Sequence, residues 1–194
     1  DYHPEITSDT KYFLALIEDS GAENFIDALQ YALSEVRGTY SLVILHGNSL
    51  YAARDITGNR PMYIGSKQGM VSIVSESVAF RALGISLENM REINPGEVLH
   101  IDGENLKITS LSIANAPSNI TRMSKPCLIE YLYCMHPSSI LTGRTIMKVR
   151  ERAGWQLAQT FRPPADIVVG VPDSGVHAAA GFAQGSGLPL VQGI

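Results

Sequence analysis

The feature that most restricts the fold of this chain is the apolar run from Ile167 to Val171. Such a run is typical of a strand that is buried on both faces of a parallel sheet. A helix predicted over residues 143–161 precedes it, and the turn Pro172-Asp173-Ser174-Gly175 follows it. An alanine-rich helix then leads to a second predicted strand at Leu188. Helices that alternate with parallel strands predict the start of an α/β domain.

The first 110 residues show a different pattern. Apolar residues at helical spacing predict two helices, over residues 8–19 and 22–36. After Thr39 the pattern changes to short β-rich runs, with a short helix predicted over residues 76–83. Three hairpins are predicted, with turns at Gly47-Asn48, Lys67-Gln68-Gly69 and Asp102-Gly103. Helices followed by antiparallel strands predict an α+β domain in this half.

A polar stretch, residues 115–124, separates the two patterns. It contains Pro117 and has no clear periodicity, which is typical of a linker. We therefore predict one domain over residues 1–114 and another over 125–194. The chain begins without Met and stops just after a strand-like run. Because a strand seldom ends a domain, we expect the chain to be an internal piece of a longer protein.

Composition and charge argue against several classes of function. The formal net charge is -4 and the fifteen basic residues are not concentrated in one run, so nucleic acid is not an expected partner. The apolar runs are too short to cross a bilayer and the first residues are polar, so neither membrane insertion nor secretion is expected. Two cysteines make no disulfide framework, which fits a reducing compartment. A cytoplasmic location is expected.

Two places in the sequence carry residues suited to binding. The turn after Val171 lies between a strand and a helix, where unpaired backbone N–H groups favour anions. It is either a plain turn with Ser174 as N-cap or a phosphate or pyrophosphate cradle whose Ser174 hydroxyl is available to a hard cation such as Mg²⁺. Asp9 is either an N-cap or first-turn acid favoured by the helix dipole or a carboxylate that holds a substrate ammonium group. The residues alone leave both choices open.

Other polar residues are predicted to be structural. Arg54-Asp55 frames a strand end, where charged side chains usually pair with one another or fix a loop. Cys127 and Cys134 are seven residues apart without a CxxC partner, so buried thiols are favoured over metal ligands. The sequence has no Ser/His/Asp or HExxH pattern. This chain alone therefore offers no complete nucleophilic site.

Short motifs occur in order along nearly the whole chain. In the first half they are Ser8-Asp9-Thr10, Arg37-Gly38-Thr39-Tyr40-Ser41, Arg54-Asp55, Gly58, Arg60-Pro61, Ser75-Glu76-Ser77 and Pro95-Gly96-Glu97. In the second half they are Cys127, Glu130-Tyr131, Tyr133, Gly143, Arg150, Gly154, Leu157-Ala158 and Val171-Pro172-Asp173-Ser174-Gly175. The first series resembles the N-terminal-nucleophile amidotransferases, and the two together resemble the amidophosphoribosyltransferase family. The second half matches glucosamine-6-phosphate synthase and asparagine synthetase less well.

This resemblance implies a fold and an activity. The fold would be the later half of an N-terminal-nucleophile αββα glutaminase domain, followed by the start of a type I phosphoribosyltransferase domain. In the family, ammonia released from glutamine displaces pyrophosphate from phosphoribosyl pyrophosphate and gives 5-phosphoribosylamine, the first committed step of purine synthesis. Glutamine and phosphoribosyl pyrophosphate are the implied small-molecule partners, and a homo-oligomer is the implied assembly.

The resemblance also implies roles for individual residues. Asp9 matches the acidic residue that binds the glutamine α-amino group. Ser174 matches the position that contributes to Mg²⁺ binding, and the residues around it, Pro172, Asp173 and Gly175, would shape the pyrophosphate loop. A further position matches a cluster ligand: Cys127 corresponds to a residue that binds a [4Fe–4S] cluster in one branch of the family, although branches without the cluster can also carry a cysteine there.

Some parts of the family are expected outside this chain, and some residues depart from its pattern. The nucleophilic Cys would precede Asp1 and the Asp-Asp motif would follow Ile194, so the chain alone is expected to be inactive. Lys11 stands where Glu is usual, and residues 134–139 replace a typical Phe-Ala-Arg-Pro-Asp-Ser.

These departures motivate an alternative, a non-catalytic degenerate paralogue that acts as a phosphate-binding or regulatory module. An isolated salvage phosphoribosyltransferase would account for residues 143–194 and would leave residues 1–110 unexplained.

Overall fold

The computed structural model describes residues 8–114, 116 and 124–194, which divide into two compact units. The first unit contains the described residues up to Arg60 together with 69–71 and 93–125. The second contains residues 61–68, 72–92 and 126–194. The predicted linker lies mostly outside the described residues, so the predicted domain boundary stays a prediction.

Helices and strands alternate along the chain in the following order. The helices of the described residues are α1 (Asp9–Glu18), α2 (Phe25–Glu35), α3 (Ala79–Leu83), α4 (Ile146–Thr160) and α5 (Gly175–Ser186). The strands there are β1 (Ser41–His46), β2 (Ser49–Arg54), β3 (Tyr63–Lys67), β4 (Met70–Val74), β5 (Met90–Glu92), β6 (Glu97–Asp102), β7 (Ile108–Ser112), β8 (Ile140–Leu141), β9 (Arg144–Thr145), β10 (Val168–Val169) and β11 (Leu190–Val191). A π-helix spans Glu130–Cys134. The predicted α+β content is confirmed.

Two capped helices and a four-stranded sheet form the first unit. Ser8 caps α1, because its side-chain oxygen accepts a hydrogen bond from the Lys11 backbone N–H at 3.2 Å. Asn24 caps α2 in the same way, accepting from the Asp27 N–H at 3.0 Å. The sheet has the order β1-β2-β6-β7, and each neighbouring pair is antiparallel.

The core of the first unit lies between α2 and this sheet. Leu29 and Leu33 are four residues apart and therefore lie on one face of the helix. They are buried with Tyr51 and Val98 from the sheet and with Phe13 from α1. This packing fixes the start of α1 and the end of α2 beside β1.

The second unit contains a small antiparallel sheet and a parallel pair of strands. The sheet has the order β4-β3-β5, and Phe80 of α3 is buried against Gly65 of β3. A Cβ at Gly65 would lie 2.7 Å from the Phe80 ring, so a larger residue there would require the buried ring to move. Strands β10 and β11 run parallel, with Val168 opposite Leu190. The parallel direction predicted for these two strands is observed.

Helices α4 and α5 cross in direct backbone contact at two glycines. A Cβ on Gly154 would fall well inside contact distance of the Ala178 carbonyl group in α5. A Cβ on Gly181 would do the same to the Glu151 carbonyl group in α4. This close crossing requires the absence of side chains at both positions. It holds the middle of α5 against α4.

Two boundaries predicted for the second half are wrong. The helix predicted over residues 143–161 begins at Ile146, because Gly143 has a φ of 75° and turns the short β8–β9 hairpin. A strand was predicted from Ile167 to Val171, but within it only the two residues of β10 are paired with another strand. The end residues of the predicted strand, Ile167 and Val171, are 50% and 65% exposed. The described residues form only a two-stranded sheet here, so the predicted burial on both faces is not observed.

Differences in the first half are smaller. The turn predicted at Asp102-Gly103 extends to Lys107, with Leu106 at a φ of 58°. The helix predicted over residues 76–83 begins at Ala79, and β5 was not predicted. No helix of the described residues is long and apolar enough to cross a membrane.

Candidate functional site

Arg54 and Asp55 are buried and organise the loop after β2. The Arg54 guanidinium donates a hydrogen bond to the Gly58 carbonyl oxygen at 2.7 Å. The Asp55 carboxylate accepts from the backbone N–H groups of Thr57 at 2.8 Å and Tyr40 at 3.3 Å. Buried charges need such hydrogen bonds, because desolvation without them is strongly destabilising. This geometry agrees with the structural role predicted for the pair.

The first candidate site is a cavity of about 490 Å³ in the first unit. Asp9, the first residue of α1, lines this cavity together with Arg37 and Tyr40 from the segment before β1. Asp9 is exposed, and Ser8 rather than Asp9 caps the helix. Burial raises the pKa of Tyr40, and the Asp55 carboxylate raises it further, so the phenol is neutral at physiological pH.

The second candidate site is a cavity of about 370 Å³ in the second unit. Pro172, Asp173 and Ser174 line it at the amino end of α5. Ser174 occupies the N-cap position, but its side chain forms no capping hydrogen bond. Gly175 does not line the cavity, and its backbone N–H donates to the Val171 carbonyl oxygen at 3.0 Å. The Ser174 hydroxyl is therefore not used to cap the helix, although a plain N-cap was one of the two predicted roles.

Arg150 of α4 also lines this second cavity. It is 3% exposed, and it donates hydrogen bonds to the carbonyl oxygens of Tyr131 at 2.7 Å and Met135 at 2.8 Å. Burial lowers the pKa of Arg150, and the nearby Cys134 and Glu76 side chains oppose that shift. An arginine retains its charge in such surroundings because its pKa starts so high.

Arg150 belongs to one of the sequence motifs but had no predicted role in a site. The signal that identifies it is its place in the helix. The buried residues of α4 are spaced four apart: Ile146, Arg150, Gly154 and Ala158. A charged residue in an otherwise apolar or small-residue stripe must have partners in the interior.

The segment after the π-helix contributes the rest of this cavity and is held by residues from the Ser75-Glu76-Ser77 motif. Glu76 Oε2 accepts hydrogen bonds from the His136 backbone N–H and the Ser139 hydroxyl, both at 2.8 Å. The Ser77 hydroxyl oxygen accepts from the Ile140 N–H at 2.8 Å. These bonds fix the chain that leads from Cys134 and His136, which line the cavity, into the β8–β9 hairpin.

The two predicted metal sites differ in how well this chain can form them. Cys127 is half-buried, Cys134 is exposed and both are free thiols. A [4Fe–4S] cluster takes four thiolates, and the chain contains two cysteines, so its own residues do not complete such a site. Mg²⁺ is usually bound by one or two protein oxygens together with substrate phosphates. Asp173 and Ser174 line one cavity and fit that requirement.

Comparison with known proteins shows which proteins this chain is similar to. A family model described as a glutamine amidotransferase domain matches residues 1–82. An amidophosphoribosyltransferase of Methanothermobacter thermautotrophicus is 36% identical over 171 residues, which are 88% of this chain and 34% of that protein. Another from Bacillus subtilis is 34% identical over 190 residues, 98% of this chain and 38% of that protein.

The resemblance to amidophosphoribosyltransferases is confirmed.

Solved structures show the same resemblance to amidophosphoribosyltransferases. Glutamine phosphoribosylpyrophosphate amidotransferase from B. subtilis, complexed with ADP and GMP, matches 96% of this chain with a TM-score of 0.86 and 32% identity. A structure described as the allosteric regulatory enzyme of purine biosynthesis matches 99% of it with a TM-score of 0.88 and 31% identity. The chain covers 39% of each of these two structures. It spans 34–38% of the length of the two amidophosphoribosyltransferases compared above.

Proposed function

We propose that this chain is an internal part of a glutamine-dependent amidophosphoribosyltransferase of de novo purine synthesis. The whole protein would convert phosphoribosyl pyrophosphate and glutamine to 5-phosphoribosylamine, glutamate and pyrophosphate. The observation that carries the proposal is the second cavity, where the Ser174 hydroxyl, which forms no capping hydrogen bond, lies at the amino end of α5. That combination suits a phosphorylated substrate. The chain alone is proposed to be inactive.

The glutamine site is proposed to include the first cavity. A free amino acid carries an ammonium group and a carboxylate, and these need partners of opposite charge. Asp9 and Arg37 line the same cavity and supply one of each sign. Asp9 is proposed to bind the α-amino group. The exposure of its carboxylate and the capping of α1 by Ser8 leave Asp9 available for that role.

Residues 125–194 are proposed to begin a type I phosphoribosyltransferase domain. The loop that follows β10 lies at the carboxyl end of a parallel strand, which is where open α/β sheets bind their ligands. Pro172, Asp173 and Gly175 are proposed to shape this loop around the pyrophosphate of the substrate. The Ser174 hydroxyl and the Asp173 carboxylate would help to hold Mg²⁺, which when bound would neutralise charge on the substrate phosphates.

Further features of the whole protein follow from its proposed family. We propose a cytoplasmic homo-oligomer with glutamine and phosphoribosyl pyrophosphate as small-molecule partners. Cys127 is kept as a proposed ligand of an iron–sulfur cluster, and the other thiolates would have to come from cysteines beyond the two in this chain.

The second candidate function is a degenerate paralogue that binds phosphate without catalysis. The observation in its favour is that Cys134 and His136, which depart from the family pattern, line the same cavity as Ser174. A substitution in the lining of a binding cavity can change what the cavity binds.

The test is to measure phosphoribosylamine formation by the full-length protein with glutamine or with ammonia as nitrogen source. Asp9→Asn is expected to raise the KM for glutamine at least tenfold and to leave the ammonia-dependent rate unchanged. Asp27→Asn is the matched control, because it removes an exposed first-turn carboxylate from α2, outside the cavity. Ser174→Ala is expected to lower both rates. No product from either nitrogen source would reject the enzyme and favour the paralogue.

A further inference from the structure

We propose that Arg150 is an anion-binding residue of the second cavity, where its buried guanidinium compensates the charge of a pyrophosphate group held by the Pro172–Ser174 loop. This inference rests on the proposed function for its ligand class and adds a residue to that site. Three properties of Arg150 carry it: its burial, its hydrogen-bond partners and its position.

The first property is burial of a permanent charge. Arg150 is 3% exposed as a whole residue, so most of its side chain is out of water and its remaining contact with solvent is at the cavity that it lines. Burial lowers the pKa of Arg150. Arginine nevertheless does not escape this cost by losing its proton, because a guanidinium stays charged in proteins. The interior must therefore supply something that stabilises a cation.

The second property is that the protein satisfies this cation only in part. Nε and Nη2 donate to the carbonyl oxygens of Tyr131 and Met135, which are neutral acceptors. Within residues 8–114, 116 and 124–194, Nη1 has no hydrogen bond and no carboxylate lies in ion-pair contact with the guanidinium. Glu76 is near enough to affect the Arg150 pKa, but its Oε2 accepts from His136 and Ser139 instead. A buried guanidinium without a direct counter-ion favours the binding of an anion.

The third property is position. Arg150 lines the same cavity as Pro172, Asp173 and Ser174, at the amino end of the twelve-residue helix α5. The close crossing at Gly154 and Gly181 holds α4 against α5, so the guanidinium and the loop keep a fixed relation. Both the helix end and the arginine favour negative charge. Asp173 contributes the opposing charge at this cavity, and a divalent cation shared with the ligand would offset it.

The ligand class follows from the charges of these groups. A guanidinium donates to two oxygens of a phosphoryl group in a fixed planar geometry, and a lysine ammonium does not reproduce that geometry. Inorganic pyrophosphate is therefore the probe of choice, and inorganic phosphate tests whether one phosphoryl group is enough.

The experiment is calorimetric titration of the full-length protein with pyrophosphate, with and without Mg²⁺. Arg150→Met removes the charge but keeps most of the side-chain length. Arg152→Met is the matched control, since it removes the same charge from an exposed position on the same helix. We expect at least a tenfold loss of pyrophosphate affinity in Arg150→Met and less than a twofold change in Arg152→Met. Equal losses in both variants would show a general charge effect and overturn the inference.

A second measurement covers the case in which Arg150→Met does not fold. Nitrogen NMR of the arginine side chains in the wild-type protein follows the Arg150 guanidinium directly, with Arg150→Lys used to assign its resonance. The inference predicts a shift of that resonance on addition of pyrophosphate. Pyrophosphate binding without any shift would overturn the role of Arg150 and leave the proposed function standing. If the wild-type protein binds neither pyrophosphate nor phosphate, the inference also fails, and the enzyme assay above judges the proposed function separately.

Discussion

Replacing Gly154 with alanine tests the packing that supports the second cavity. The added Cβ would lie 2.7 Å from the Ala178 carbonyl carbon and 3.0 Å from the Phe182 backbone nitrogen, and closer still to the Ala178 carbonyl oxygen. These atoms belong to the α5 backbone, so no side-chain rotation relieves the overlap and the helices must separate. The change is therefore predicted to destabilise the α4–α5 pair.

The magnitude follows from two opposing effects. Overpacking of a close contact costs about 3 kcal/mol at the upper end of its usual range. Alanine is favoured over glycine inside a helix by about 1 kcal/mol. The net loss of stability is therefore about 2 kcal/mol. Since about 1.4 kcal/mol corresponds to a tenfold change in an equilibrium constant, the local opening equilibrium should change about thirtyfold.

Hydrogen exchange of the full-length protein measures that opening directly. Backbone amides in α4 and α5 are predicted to exchange about thirtyfold faster in Gly154→Ala, while those in α1 and α2 serve as an internal control. Gly175→Ala is the matched variant, because its Cβ would have ordinary contact at 3.7 Å from Val171. Unchanged or slower exchange in α4 and α5 of Gly154→Ala would refute the close-crossing argument.

The remaining predictions concern other parts of the described chain. Glu76→Ala removes the acceptor of two hydrogen bonds and should destabilise the second unit by about 3–6 kcal/mol in hydrogen exchange, because charge-assisted bonds contribute about 1.5–3 kcal/mol each. Folding raises the pKa of Tyr40 above its ordinary value of 10.0. The neutral phenol therefore contributes its full share of the folding free energy below about pH 10, and that share is lost as the pH rises further. Tyr40→Phe should accordingly reduce the loss of stability at alkaline pH, measured by unfolding at a series of pH values. The 194-residue chain alone should aggregate on heating, because the edge strand β1 leaves the apolar side chains of Val43 and Leu45 54% and 77% exposed. A sharp, reversible thermal transition in calorimetry would contradict this prediction.

Local signals in the sequence were sufficient for much of the fold. Apolar residues at helical spacing predicted a helix over residues 8–19, where α1 is found, and Gly47-Asn48 between β-rich runs predicted the first hairpin. These elements depend on short-range chemistry, namely side-chain capping and turn conformations that residues of those types adopt. The parallel direction of β10 and β11 also followed from the order of the elements.

Features that depend on distant contacts were not predictable in this way. The start of α4 depends on the pairing of β8 with β9, and neither strand had a sequence signal of its own. The role of Gly154 depends on which carbonyl group of α5 lies against it. Arg150 belongs to a candidate site because the fold places it in the same cavity as Pro172–Ser174. Periodicity shows which face of a helix is buried but does not identify the groups that it meets.

The most direct test of the proposed activity is to measure pyrophosphate and glutamate release together, using the full-length protein with glutamine, phosphoribosyl pyrophosphate and Mg²⁺. The account predicts that the two products appear in equal amounts and that Ser174→Ala lowers pyrophosphate release. Glutamate formation without pyrophosphate, or the absence of both products, would contradict the assignment of the Pro172–Ser174 loop to a phosphoribosyl transfer site.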